Sequence, residues 1–172
     1  MKPVRYLRGS FPLLPFALAL ISGAASAVDY APGRPVEVHE GARLDYALKC
    51  KGCHGLSGQG TPGHVPRLDG FVGLFTHLPE GREYLVRVPG VARSVLDDER
   101  LTAVLNWVLA TYGRDTVAPG FAPYTVEEVA AARRRPLEDR KGLRERMLAE
   151  LRTRGLLAPD DDGIGESPEQ RG

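Results

Sequence analysis

The stretch ALKCKGCHGLSGQG (residues 47–60) holds both cysteines of the chain and one of its four histidines. Cys50 and Cys53 are three positions apart, and His54 follows at once. Residues i and i+3 share a face of a helical turn. The spacing therefore sets two thiols side by side with an imidazole next to them.

Four chemistries use such a pair. A zinc site needs further ligands at metal spacing, and His39, His64 and His77 do not form such a set. A thioredoxin-like redox motif needs a βαβ context, whereas the flanks here read as a helix followed by a glycine-rich loop. A structural disulfide across so short a loop stabilises little. The fourth is covalent haem attachment, the specific meaning of C-x-x-C-H. Two thiols on one turn reach two vinyl groups on one porphyrin edge, and His54 becomes the proximal axial ligand of the iron. Its other ring nitrogen is then expected to donate to a backbone carbonyl, which fixes tautomer and orientation.

The N-terminus favours the haem reading. Lys2, Arg5 and Arg8 precede an apolar run, Phe11 to Ile21, and Ala25-Ser26-Ala27 supplies a cleavage site. Residues 1–27 thus read as a secretory signal peptide. The run is too short to span ~30 Å of hydrocarbon. Its removal takes three cations and no acid from a chain of net charge +1, leaving a mildly acidic product. No later stretch is apolar enough to cross a bilayer, so the expected product is soluble and periplasmic. The near-neutral charge and scattered Lys and Arg argue against nucleic-acid binding.

The elements around the motif read as helices, and the fold class is all-α. Ala42, Leu44, Tyr46, Ala47 and Leu48 predict a helix from Val38 to Lys49. Glycines and prolines make Gly55 to Gly73 a loop. Leu74 to Val88 reads as a short helix or an extended piece. Asp97 to Tyr112 is the clearest helix, with acids in its first turn. Leu101, Val104, Leu105, Val108, Leu109 and Tyr112 form its apolar face, and Gly113 stops it. Thr125 with Glu128 predicts a capping box. Pro136 ends that helix, and Leu137 to Arg154 predicts another, with Leu143, Met147, Leu148 and Leu151 on one stripe. The residues beyond are acidic, with Gly and Pro, and read as a disordered tail.

Several features in order carry a family resemblance. They are Cys50-Lys51-Gly52-Cys53-His54-Gly55, Val65-Pro66-Arg67-Leu68-Asp69-Gly70, the helix LDDERLTAVLNWVLATY, and the pair Ala42 and Tyr46 before Cys50. Over roughly Val38 to Gly113 the chain resembles the monohaem class I c-type cytochromes. The resemblance implies one covalently bound haem c in a small helical domain. It implies that the Pro66 carbonyl accepts the proximal imidazole N–H, and that Ala42 and Tyr46 lie where the first and last helices cross. Tyr46, Leu68 and Trp107, with Phe71, Leu74, Phe75 and Leu85, are expected to pack the haem or the core. The expected division is a signal peptide (1–27), a haem domain (28–118), a helical extension (119–156) and a disordered acidic tail (157–172).

The pattern breaks at one place. Such cytochromes usually carry a methionine as second axial ligand before the last helix. Arg87-Val88-Pro89-Gly90-Val91 puts valine there. His77, Met147, His64 or no protein group at all then faces the second axial position, with His77 the nominated distal candidate. The resemblance implies a one-electron carrier, not an enzyme. Its partners would be a donor dehydrogenase and an acceptor such as another cytochrome or a copper protein. The alternative is a haem protein with an open distal site that binds or acts on a small ligand, as sensor or peroxidase-like enzyme. The charged stretch RRRPLEDRKGLRERMLAELRTRG either covers one side of the core or docks a partner.

Overall fold

The computed structural model describes residues 40–165. The expected signal peptide, His39 and residues 166–172 lie outside them. The described chain is helical without a named strand, and its one β-bridge joins Thr61 and Val65. Helix α1 (Glu40–Lys49) runs into the single turn α2 (Lys51–His54), and a 3-10 helix spans Val72–His77. Then come α3 (Gly81–Arg87), α4 (Pro89–Ala92), α5 (Asp98–Val108), α6 (Val126–Arg133) and α7 (Arg140–Thr153).

Helix α1 buries Ala42 and Tyr46, one turn apart, and leaves Leu44 and Leu48 exposed. Its inner face crosses α5. The Tyr46 ring lies 5.1 Å from Trp107 and 5.3 Å from Tyr112, and Trp107 meets Tyr112 edge-on at 5.4 Å. Tilted and edge-on pairs at such distances add to what area burial alone contributes.

Helix α5 begins as its acids predict. Asp97 caps it, its carboxylate accepting the Arg100 N–H at 2.8 Å. Its end differs from the expected regular run to Tyr112. From Leu109 to Gly113 the chain widens into a π turn. Tyr112 gains two tethers there: its hydroxyl donates to Leu56 O at 2.8 Å, and its carbonyl accepts the Gly70 N–H at 2.8 Å. Both partners belong to the loop that follows His54.

The predicted capping box forms only in half. Thr125 Oγ1 accepts the Glu128 N–H at 3.2 Å, but the Glu128 carboxylate turns outward to pair with Arg82 of α3. That guanidinium also lies over Phe121 and Tyr124, at 4.5 and 4.6 Å from the ring centres. An ion pair with stacking outweighs a weak return bond to the helix's own first turn.

Residues beyond 118 share the core of those before it. Val129, Ala132, Met147, Leu148, Leu151 and Leu157 join the cluster built on Tyr46, Phe71, Phe75 and Trp107. Helix α6 packs on α3 and α5, and α7 lies on the 3-10 helix. The tail also departs from expectation, since the segment up to Gly165 is held in place. Leu157, Asp161 and Gly163 are buried, and Asp161 pairs with buried Arg67. Composition counts acids as solvated, but a partner 94 positions upstream neutralises this one.

Candidate functional site

The cysteine motif is one closed turn. Cys53 N–H and His54 N–H both donate to Cys50 O, at 3.2 and 3.0 Å, and Gly55 N–H donates to Lys51 O at 2.8 Å. Gly55 then leaves the helix at φ +77°, a conformation glycine adopts without strain. Tyr46 is 1% exposed, and its hydroxyl donates to Gly55 O at 2.8 Å, tying α1 to the end of the turn. Both cysteines are free thiols, Cys50 half-buried and Cys53 exposed. Burial, then the nearby Asp45 carboxylate and Cys53, pushes the Cys50 thiol above its ordinary value and keeps it protonated.

His54 Nδ1 lies 3.1 Å from the carbonyl oxygen of Pro66, twelve residues on. A carbonyl only accepts, so Nδ1 carries the proton and Nε2 keeps its lone pair. Burial holds the imidazole below its ordinary value, opposed by the bond to Pro66. The result is a neutral ring with a free, oriented Nε2, the form in which imidazole ligates a metal.

The loop carrying Pro66 is tightly placed. Leu68 N–H donates to Gly58 O at 2.6 Å. A Cβ at Gly60 would come within 2.4 Å of Val65 O and 2.8 Å of Arg67 N, so glycine there lets two backbone segments touch. Leu68 is half-buried against the core and Trp107 is buried in it.

Two of the other three candidate ligands are engaged elsewhere. His77 Nε2 donates to Thr116 O at 3.1 Å. Met147 is 0% exposed, packed with Leu148 and Leu151 on α7. His64 is exposed on the Pro66 loop. Among the described residues, no three His, Cys, Asp or Glu side chains converge as a metal cage. The structure thus brings Cys50, Cys53, His54, Pro66 and Tyr46 together and leaves His77 bonded to a backbone carbonyl.

No family model matches the chain. It is 37% identical over 125 residues to cytochrome c-552 of Thermus thermophilus, a match covering 62% of this chain and 94% of that protein. It is likewise 37% identical over 125 residues to cytochrome c-552 of Thermus thermophilus strain ATCC 27634, covering 62% of this chain and 83% of that protein. The chain belongs to the c-type cytochromes. An all-α fold and a haem prosthetic group follow from that membership. No helix among the described residues is long and apolar enough to cross a membrane.

The residues present fit the prosthetic group of a c-type cytochrome. Two unpaired thiols share one turn, and the adjacent imidazole keeps an unprotonated nitrogen because its other one is bonded to Pro66. Arg67 is a buried neighbour of the site with no motif of its own. It buries its side chain against Asp161 and sets its guanidinium 4.8 Å from the Phe71 ring centre. Only its position directly after Pro66 singles it out in the sequence.

Proposed function

We propose that this c-type cytochrome is an exported, periplasmic one-electron carrier with a single haem c, held through Cys50 and Cys53 and ligated by His54. The observation that carries the reading is the His54–Pro66 bond, which presents a neutral imidazole beside two free thiols. A bound haem supplies a reversible Fe(III)/Fe(II) couple. The chain's own residues do the rest. Cys50 and Cys53 would hold the group as thioethers, through a redox-neutral addition of each thiol to a vinyl group that releases nothing. His54 donates at Nδ1 to Pro66 and offers Nε2 to the metal. Tyr46 braces the end of the turn through Gly55. Tyr46, Trp107 and Tyr112 form a buried aromatic cluster beside the turn. Redox partners fit the small, transient contacts of electron-transfer proteins. The test is haem retained through denaturing extraction of the periplasmically matured protein, lost in Cys50→Ala/Cys53→Ala. Maturation without covalent haem would end the reading.

A specific observation favours a second reading, an open distal site that takes a small ligand. The stretch joining α3 to α5, Val88 to Asp97, contains no thioether or imidazole. His77 and Met147 are occupied as described. Rapid CO binding by the reduced protein supports this reading. A spectrum unmoved by CO rejects it.

A further inference from the structure

The Pro66–Arg67 peptide group is bonded at both ends. Its carbonyl accepts from His54 Nδ1 at 3.1 Å, and its N–H, on Arg67, donates to Gly163 O at 2.8 Å. A peptide unit is planar, with its C=O and N–H antiparallel. Whatever fixes the N–H therefore also aims the carbonyl at His54. Hydrogen bonds in such a chain also polarise one another.

The tail that supplies Gly163 O is itself built to hold still. The Asp161 carboxylate takes both prongs of the Arg67 guanidinium, at 2.9 and 2.5 Å, and accepts the Gly163 N–H at 2.9 Å. Gly63 N–H donates to Ile164 O at 3.0 Å. From α7, Arg152 and Arg144 donate to the carbonyls of Asp161 and Asp162, at 2.9 and 2.6 Å. Gly163 sits at φ +73°, and a Cβ there would come within 2.5 Å of the Phe71 ring. The position thus requires glycine on both counts.

We infer that the C-terminal tail positions the axial imidazole, with Gly163 and Asp161 acting on His54 through the Pro66–Arg67 peptide and its Arg67 side chain. This rests on the haem reading of His54. The tail is then part of the site's electronic tuning. A stronger Nδ1–H bond makes the imidazole a better donor and favours the oxidised metal. Loosening the tail weakens that bond and raises the reduction potential.

Two charge-conserving variants test this in the full-length holoprotein. Gly163→Ala displaces the tail carbonyl, and Arg67→Lys loses the two-pronged pairing while keeping the charge. Glu128→Gln, which breaks the Arg82 pair away from the loop, is the control for a merely structural effect. The readouts are the midpoint potential and the ring N–H signal of His54 in protein labelled with 15N-histidine. The expected result is a raised potential and a faster-exchanging, upfield-shifted ring N–H in both tail variants, with neither moved in Glu128→Gln. An unmoved potential and ring signal in Gly163→Ala and Arg67→Lys overturns the inference. So does an equal shift in the control. An unsubstituted protein lacking covalent haem would overturn the haem reading itself, a distinguishable outcome.

Discussion

The Nε2 nitrogen of His77 lies 3.1 Å from the carbonyl oxygen of Thr116, which makes that nitrogen a donor and removes its lone pair from metal binding. This bond ties the end of the 3-10 helix to the turn after α5. His77→Ala is expected to cost about 1 kcal/mol, the net worth of one hydrogen bond. The haem spectrum of the variant is expected to match the parent in both oxidation states. A lost or shifted axial-ligand band would instead make His77 the distal ligand.

Met147 is a core residue of α7. Its side chain is fully buried on α7 beside Leu148 and Leu151. Met147→Leu conserves volume and is expected to cost less than about 1.5 kcal/mol, whereas Met147→Ala is expected to cost about 2–5 kcal/mol. Denaturant melts of the holoprotein measure both. The spectrum of Met147→Leu is expected to stay unchanged, which separates a core residue from a ligand.

Acid should weaken the crossing of α1 and α5. Asp45 is buried on α1, and the Arg100 guanidinium bonded to it holds its carboxyl below the ordinary 3.8, against the opposing effect of burial. The folded state thus binds fewer protons than the unfolded chain in this range. The contribution is complete above the ordinary carboxylate range and is lost as pH falls through the lowered value. Glu83 behaves alike, held down from 4.5 chiefly by Arg135. Thermal midpoints are expected to decline gently below about pH 6.5, where the unfolded chain protonates a histidine that the fold keeps neutral at His54, and to fall more steeply below about pH 4 as the carboxylates follow. Asp45→Asn is expected to lower the midpoint near neutrality and to shrink that acid-side loss.

What could be read from the chain divides by the range of the interaction. The cysteine turn is local, and its spacing alone arranges thiols and imidazole. The α1–α5 crossing follows from apolar periodicity, which places Ala42, Tyr46, Leu101, Val104, Leu105 and Val108 inward. Pro66 as partner of His54 came only from resemblance. The rest is non-local. Glu128 abandons its capping box for Arg82, 46 positions away, and Asp161 finds Arg67 94 positions away. Acids in a Gly- and Pro-containing tail read as solvated because nothing nearby in sequence reports such a cation. The π turn is a change of backbone partner at Leu109–Gly113, and side-chain periodicity carries no trace of it.

A chain ended at Gly120 tests whether the extension is a docking appendage or part of the fold. It would lose Val129, Ala132, Met147, Leu148 and Leu151, which share one core with Phe71 and Phe75. It would also lose Asp161 and Gly163 from the Pro66 loop. Each large buried side chain removed costs about 2–5 kcal/mol, and a domain's whole margin is about 5–15 kcal/mol. Truncation is therefore expected to abolish stable folding and lower haem incorporation, read by circular dichroism and by haem per protein. A truncated chain that folds, keeps its haem and loses only partner binding would make the extension a docking element.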